Sequence, residues 1–131
     1  MEEPKQGSYM EVPILKQGAY LIATVQSALT DGDLLKLRDT LVVSVSKHRA
    51  RGVILDLTAL DVLDSFSTRT LRDLAHMIRL RGAEMVIVGI QPEVAFAMAQ
   101  FGLTLEGIST TLDLEEGLAY LDGSTKPNRI A

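Results

Sequence analysis

Strand-like apolar segments alternate with helix-like segments along most of the chain, and this alternation limits the fold more than any other feature. Two short strands are predicted at 12–16 and 20–25 around a Gln17-Gly18 turn, followed by strands at 52–57, 84–90 and near Leu105. Helices are predicted at 30–49, 65–81, 92–101 and 113–121. Alternating strands and helices form α/β folds in which part of the sheet is parallel. The sequence therefore predicts a mixed central β-sheet with about four α-helices packed on it.

A short internal repeat supports this arrangement. Arg51-Gly52 and Arg81-Gly82 each stand between a helix-like segment and an apolar strand. Glycine is common just after a helix because it adopts positive φ without steric cost. The two glycines are about one βα unit apart. We therefore expect each of them to end the helix that precedes it.

Length and composition exclude several classes of protein. A chain of 131 residues suits one domain, and 47% hydrophobic with 23% charged residues is unlike a disordered chain. Without cysteine there are no disulfides and no thiolate sites, which suits the cytoplasm. The net charge of −4 argues against nucleic-acid binding, and no apolar run reaches the length of a membrane span. We expect a cytoplasmic protein that binds neither nucleic acid nor membrane.

The two ends of the chain differ from its middle. Residues 1–9 are polar and precede a second methionine, Met10, while residues 123–131 are rich in turn-forming residues. We expect a flexible leader at 1–9, the folded domain at 10–122 and a flexible tail at 123–131.

The segment from Asp56 to Phe66 carries the most informative polar residues. An apolar run at 52–55 leads into an acidic loop containing Asp61 and Asp64, and Ser65 stands where the next helix begins. Helix N-termini carry unsatisfied N–H groups and a partial positive charge, so they stabilise anions. Ser65 is therefore either an ordinary N-cap, a role that Asp64 could also fill, or a residue that carries a phosphate. From these residues alone the capping role is the commoner one.

Catalytic arrangements do not fit this segment. Ser65 and His76 lie eleven residues apart on one helix, roughly 16 Å at 1.5 Å per residue, so they cannot hydrogen-bond. The chain has no G-x-S-x-G elbow and no glycine-rich phosphate loop. Asp56, Asp61 and Asp64 could bind a hard metal ion, but helix caps and turns explain them better. We expect no catalytic residues, no cofactor and no metal.

Phosphorylation of Ser65 is the chemistry that this segment could support. A phosphate adds roughly −1.5 to −2 charges, and a helix N-terminus stabilises such an anion by about 0.3–2 kcal/mol. Asp61 and Asp64 would oppose the added charge, and Arg69 would offset it. Modification would then change the surface without unfolding the domain, which suits the release of a docked partner.

The helix predicted at 92–101 is apolar on nearly every side, with Glu93 and Gln100 as its obvious polar residues. Such a helix usually buries more than one face. Two explanations stay open: the helix is covered by the C-terminal tail, or it contacts another subunit.

The chain resembles a STAS domain, the module of anti-sigma factor antagonists. The resemblance runs from about Val12 to Leu121, and its motifs are Asp64-Ser65-Phe66 and the segments 53–58, 89–95 and 112–118. Simpler antagonists of this family follow the acceptor serine with small residues and glycine. Here Phe66-Ser67-Thr68-Arg69 follows, which favours the stressosome scaffold branch.

The resemblance implies a bacterial stress-signalling protein that is phosphorylated on Ser65 by a switch serine/threonine kinase and restored by a phosphatase. It also implies a large cytoplasmic homo- and hetero-oligomer with sensor paralogues that carry a C-terminal STAS domain. This assembly would hold the kinase until stress. The loop 58–64 and the following helical turn would form the docking face, with these candidate contacts: Asp61, Asp64, Phe66, Ser67, Thr68 and Arg69.

Two alternatives remain beside this hypothesis. The first is a direct anti-sigma factor antagonist of the simpler type, acting as a free monomer or dimer. The second is a STAS sensor that binds a small anion or a nucleotide at the same helix N-terminus. A glycine-rich or basic lining would favour the second alternative, and the sequence around Ser65 has neither.

Overall fold

A computed structural model gives the fold of the chain and describes residues 12–125. In this range strands and helices follow in the order β1 (Ile14–Gln17), β2 (Tyr20–Thr24), α1 (Asp31–His48), β3 (Gly52–Asp56), α2 (Ser65–Leu80), β4 (Glu84–Val88), α3 (Pro92–Gln100), β5 (Ser109–Thr111) and α4 (Leu114–Thr125). The predicted α/β class, with a mixed sheet and four helices in the described part, is confirmed.

The strands form one sheet in the order β1-β2-β3-β4-β5. β1 pairs antiparallel with β2 across a tight turn at Gly18, whose φ is 61°, and the remaining neighbours are parallel. In parallel strands all carboxyl ends reach the same edge of the sheet. The loops that lead into α1, α2 and α3 therefore lie at one end of the domain.

Helices cover both faces of the sheet, but unequally. α1, α2 and α3 pack on one face through buried residues that include Leu41, Leu71 and Val94. α4 covers the other face, where Leu121 packs with Ile54 of β3. β3 is buried on both sides as a result, which explains its unbroken apolar run.

Gly52 serves the packing of α4 and does not end α1, which corrects the expectation from the repeat. A Cβ atom on Gly52 would lie 2.8 Å from Leu121 Cδ1. α1 instead ends at Arg49, which adopts the left-handed conformation with φ of 51°. Gly82 does follow the end of α2, with φ of 87° and its N–H donating to the Arg79 carbonyl, as predicted.

Two predicted boundaries differ from the structure. The last strand is Ser109–Thr111, whereas it was expected near Leu105. Leu105 packs on the core from an irregular segment, so its burial does not come from a strand. α4 continues to Thr125, so residues 123–125 are helical although we expected them in the tail. Residues 1–9 of the expected leader and residues 126–131 of the expected tail lie outside the described residues.

Within residues 12–125 no helix combines the length and the apolar character needed to cross a membrane.

Candidate functional site: the loop after β3 and the start of α2

The loop after β3 is braced by polar contacts at its first residues. Asp56 Oδ1 accepts hydrogen bonds from Thr58 N at 2.9 Å and from Thr58 Oγ1 at 2.6 Å. The Thr58 carbonyl accepts a hydrogen bond from Gln91 Nε2 at 2.6 Å. Gly89 lies against the same threonine, and a Cβ atom there would overlap Thr58 Oγ1. The loop is therefore tied to the segment that follows β4.

Leucine side chains anchor the rest of the loop. Leu57 and Leu63 are buried, and Leu60 packs on the core while its N–H donates to the Leu57 carbonyl. Val62 differs because 64% of it is exposed. Beneath the loop lies a mainly apolar cavity of about 70 Å³, with Asp64 and Ser67 among its lining residues. The loop thus presents a fixed outer surface above a small cavity.

Asp64 is the N-cap of α2. Its backbone is extended, and its Oδ1 accepts a hydrogen bond from Ser67 N at 2.8 Å. Hydrogen bonds from the backbone and then the side chain of Ser67 lower the pKa of the Asp64 carboxyl group below its ordinary value. The carboxylate is therefore charged at neutral pH. It accepts a hydrogen bond from one of the backbone N–H groups that have no carbonyl partner within the helix.

Ser65 occupies the first position of α2 and is exposed. Because Asp64 fills the capping position, the hydroxyl of Ser65 is not used for capping. Among residues 12–125 no group forms a hydrogen bond with this hydroxyl. Ser65 is therefore not the N-cap of α2, which was one of the two roles considered for it. The hydroxyl faces solvent beside the positive end of a helix.

The two following hydroxyl residues are less accessible. Ser67 is half-buried beside the cavity. Thr68 is 2% exposed, and its Oγ1 donates to the Asp64 carbonyl at 2.8 Å. Thr68 was expected on the docking face, and this burial corrects that expectation. Among these three hydroxyls, Ser65 is the exposed one.

Other expected contact residues surround Ser65 in different ways. Asp61 and Arg69 are exposed, whereas Phe66 is half-buried and packs against the core. Arg69 lies four residues after Ser65, and residues at this spacing on a helix have Cβ atoms about 5–6 Å apart. The structure therefore brings Asp61, Asp64, Ser65 and Arg69 to one surface.

Sequence reasoning missed the part that Gly89 and Gln91 play at this site. Both follow β4, which lies next to β3 in the sheet, so they meet the loop only in the folded domain. The one available signal was a glycine directly after a buried strand, which often marks close backbone approach. Nothing in the sequence pointed to Gln91.

Comparison with known proteins identifies the fold. A family model described as STAS domain matches residues 11–117. Two curated relatives from Bacillus subtilis (strain 168) are RsbT co-antagonist proteins: RsbRA, 29% identical over 83 residues, and RsbRC, 30% identical over 93 residues. The matches cover 63% and 67% of this chain but 30% and 33% of the relatives, so the chain spans about a third of their length.

Solved structures agree with this assignment. A serine-to-glutamate variant of RsbS from Moorella thermoacetica has 32% sequence identity and a TM-score of 0.74, covering 87% of this chain and 97% of that chain. A chain from the molecular architecture of the stressosome has 30% identity and a TM-score of 0.68, covering 85% and 96%. The unphosphorylated anti-sigma factor antagonist SpoIIAA shares the fold at 9% identity. The chain therefore belongs to the STAS domain family, and among its members it is similar to RsbS and to a stressosome chain.

Proposed function

We propose that this domain is a phosphorylatable stressosome scaffold that holds a switch serine/threonine kinase and releases it when Ser65 is phosphorylated. The observation that carries the proposal is the exposed Ser65 hydroxyl, which makes no hydrogen bond within residues 12–125 while Asp64 caps the helix. A hydroxyl with no structural task can accept a phosphate without loss of a native contact.

The electrostatics of the surface support release on phosphorylation. The phosphate adds roughly −1.5 to −2 charges to a surface that already carries Asp61 and Asp64. The helix end and Arg69 offset part of this charge, so the domain stays folded. A partner whose binding surface complements an acidic, partly apolar loop would meet a changed charge and a bulky group at the centre of its contact.

Relatives support the partner class. The curated relatives are named co-antagonists of RsbT and are about three times as long as the match, and two solved relatives are RsbS and a stressosome chain. We infer that this chain co-assembles with sensor paralogues that carry a STAS domain. We infer also that it acts in the cytoplasm, that a phosphatase restores Ser65, and that the domain itself is not an enzyme.

Phosphorylation mapping tests the site. The protein is incubated with its cognate kinase and ATP, and its peptides are mapped by mass spectrometry. We expect the label on Ser65, its loss in Ser65→Ala, and its retention in the matched control Ser67→Ala. We expect Ser65→Asp to weaken kinase retention in a pull-down. Unchanged labelling of Ser65→Ala would show that the acceptor is another residue.

α3 supports the assembly part of the proposal. Val94 and Met98 are buried, whereas 73% of Phe96 and 78% of Phe101 are exposed. No described residue covers these rings, and α4 lies on the opposite face of the sheet. The expected cover by the C-terminal tail concerns residues 126–131, which lie outside the described residues. We infer that α3 contacts another subunit.

A pair of substitutions on α3 separates folding from assembly. Phe96→Ser should leave the urea midpoint nearly unchanged, because the ring is exposed, and should weaken co-assembly measured by size-exclusion chromatography with a sensor paralogue. Met98→Ala should lower the free energy of unfolding by about 2–5 kcal/mol, because it empties part of the core. Full co-assembly of Phe96→Ser would contradict the interface on α3.

The two alternatives make different predictions. A direct antagonist of the simpler type would remain a monomer or dimer when mixed with a sensor paralogue. An anion or nucleotide sensor would need donors beside Ser65, and Arg69 is the one basic side chain in the first two turns of α2. Isothermal titration with phosphate and ATP would detect such a ligand, and we expect no binding at this site.

A further inference from the structure

A cluster of cations lies at the end of the sheet opposite Ser65, where α1 and α2 finish and β3 and β4 begin. Arg49, Arg51 and Arg81 line an open groove of about 460 Å³ together with Ser46 and Leu80. We call this feature the basic groove. Lys47 and His48 lie on the last turn of α1, and Arg79 lies on the last turn of α2. The groove is therefore strongly positive on a chain whose net charge is −4.

The arginines of the groove differ in how they are held. Arg81 Nε donates to Ser46 Oγ at 2.8 Å, which fixes the guanidinium, and its terminal amino groups have no hydrogen-bond partner among residues 12–125. The Arg49 side chain also has none within this range. Arg51 already takes part in an interaction within the chain, and Arg79 donates to the Gly107 carbonyl at 2.9 Å. Arg49 and Arg81 are thus available to an outside anion.

Arg49 stands where the backbone favours glycine. Its φ of 51° makes it the one non-glycine residue with positive φ in the described part of the chain. Glycine adopts this conformation at no steric cost, and it is the usual residue at a helix end of this kind. The helix dipole favours cations near α1's end, but it does not require one at this position. The local backbone therefore does not explain why an arginine stands at this position.

The opposite end of the domain has the complementary charge. Parallel strands place the starts of the helices at one end, and exposed carboxylates gather there, including Asp61, Glu93 and Glu115. These three make no hydrogen bond with any residue in the range 12–125. Arg69 and Lys36 are the nearby cations. Val62 is 64% exposed at this end and Leu80 is 72% exposed at the groove, so both ends also offer an apolar residue.

We propose that the basic groove docks the acidic end of a second STAS domain, so that copies associate head to tail. Arginine forks pair well with carboxylates, and the groove has no aromatic side chain on which a nucleotide base could stack. The contact is heterologous, so one copy can bind a partner at each end. It requires neither a kinase nor modification of Ser65, so it goes beyond the proposed function, although it uses Asp61, which that function places on the kinase-docking face.

Charge reversal at each end tests the contact by sedimentation velocity in about 20 mM and about 300 mM salt. Wild-type protein should show association that is lost at high salt, because screening shortens the range of charge interactions. Arg49→Glu/Arg81→Glu places carboxylates in the groove, and Asp61→Lys/Glu93→Lys places cations at the acidic end. Each variant alone should lose the salt-sensitive association, and an equimolar mixture should regain it. A mixture that behaves as two separate monomers overturns the proposal.

Two further variants exclude general effects of charge and folding. Arg38→Glu/Arg72→Glu carries the same net charge as the groove variant but changes residues midway along α1 and α2, away from both ends, so it should associate like wild type. Arg49→Gly removes one guanidinium and relieves the left-handed backbone. It should unfold at the same or a higher urea concentration while associating several-fold more weakly. Wild-type association in Arg49→Gly would overturn the role of the groove.

Discussion

At the start of α2, Asp64 caps the helix and Ser65 presents its hydroxyl group to solvent. Asp64 accepts the N–H of Ser67, and Ser65 is left without a bond among residues 12–125. The sequence predicted a helix start at these two residues but could not assign the cap. Asp and Ser are about equally good N-caps, so residue type alone does not show which of them caps the helix. The backbone conformation of Asp64 and its hydrogen bond from Ser67 show it.

The capping role of Asp64 predicts a pH-dependent loss of stability. Asp64→Ala should lower the free energy of unfolding at pH 7 by about 0.5–2 kcal/mol, and Asp64→Asn should retain the cap. Hydrogen bonds from Ser67 lower the folded pKa, so the charge stabilises the fold above the unfolded value of about 3.9 and ceases to do so as pH falls through the folded pKa. Urea unfolding at pH 7 and pH 3 should therefore show the advantage of wild type over Asp64→Asn shrinking in acid. An advantage of equal size at both pH values would contradict this account.

At the scale of elements, the loop after β3 depends on the segment after β4. Asp56 binds Thr58 within the loop, and Gln91 binds the Thr58 carbonyl from outside it. Gly89 provides the space for this approach.

Substitution of Gly89 measures the closeness of that approach. Gly89→Ala should lose more stability than Gly102→Ala, because both glycines have positive φ but only the Gly89 methyl group would meet Thr58. Gly102 has open space around it, so its substitution should cost only the conformational term of about 1–2 kcal/mol. Urea denaturation of the two variants measures the difference. Equal losses would mean that Thr58 moves aside freely.

The elements that were predicted correctly share a strong pattern. β3 and β4 are buried on both faces and read as apolar runs, and α2 shows a clear division between buried Leu71, Leu74 and Ile78 and its exposed residues. β5 lacks such a pattern. It consists of Ser109–Thr111 and pairs with β4 at the edge of the sheet, so backbone hydrogen bonds define it. The last strand was predicted near Leu105 because that residue is apolar, and this position was wrong.

At the scale of the whole molecule, the two faces of the sheet are stabilised differently. Three helices share one face, whereas α4 packs on the other. The approach of α4 is close, because a Cβ atom on Gly117 would lie 2.8 Å from Val88 Cγ1 and one on Gly52 would lie equally near Leu121. The sequence predicted α4 but not its face, since no residue pattern records which side of a sheet a helix crosses.

Coupling between Gly52 and Leu121 tests this packing. Gly52→Ala should destabilise the domain through overlap with Leu121, and Leu121→Ala should cost about 2–5 kcal/mol. The double variant should lose less than the sum of the two, because the shortened side chain makes room for the new methyl group. Gly123→Ala is the control, since that site is open and alanine favours a helix. Strict additivity in chemical denaturation would contradict the close contact.

Gln91 connects the loop after β3 with the start of α3. Its side chain grips the Thr58 carbonyl, while its own carbonyl accepts the N–H of Ala95 in the first turn of α3. A partner protein that moved Thr58 outward would have to break its hydrogen bond with Gln91 or displace the first turn of α3 as well. The acidic loop and the helix bearing Phe96 are thus mechanically joined by a single amide side chain.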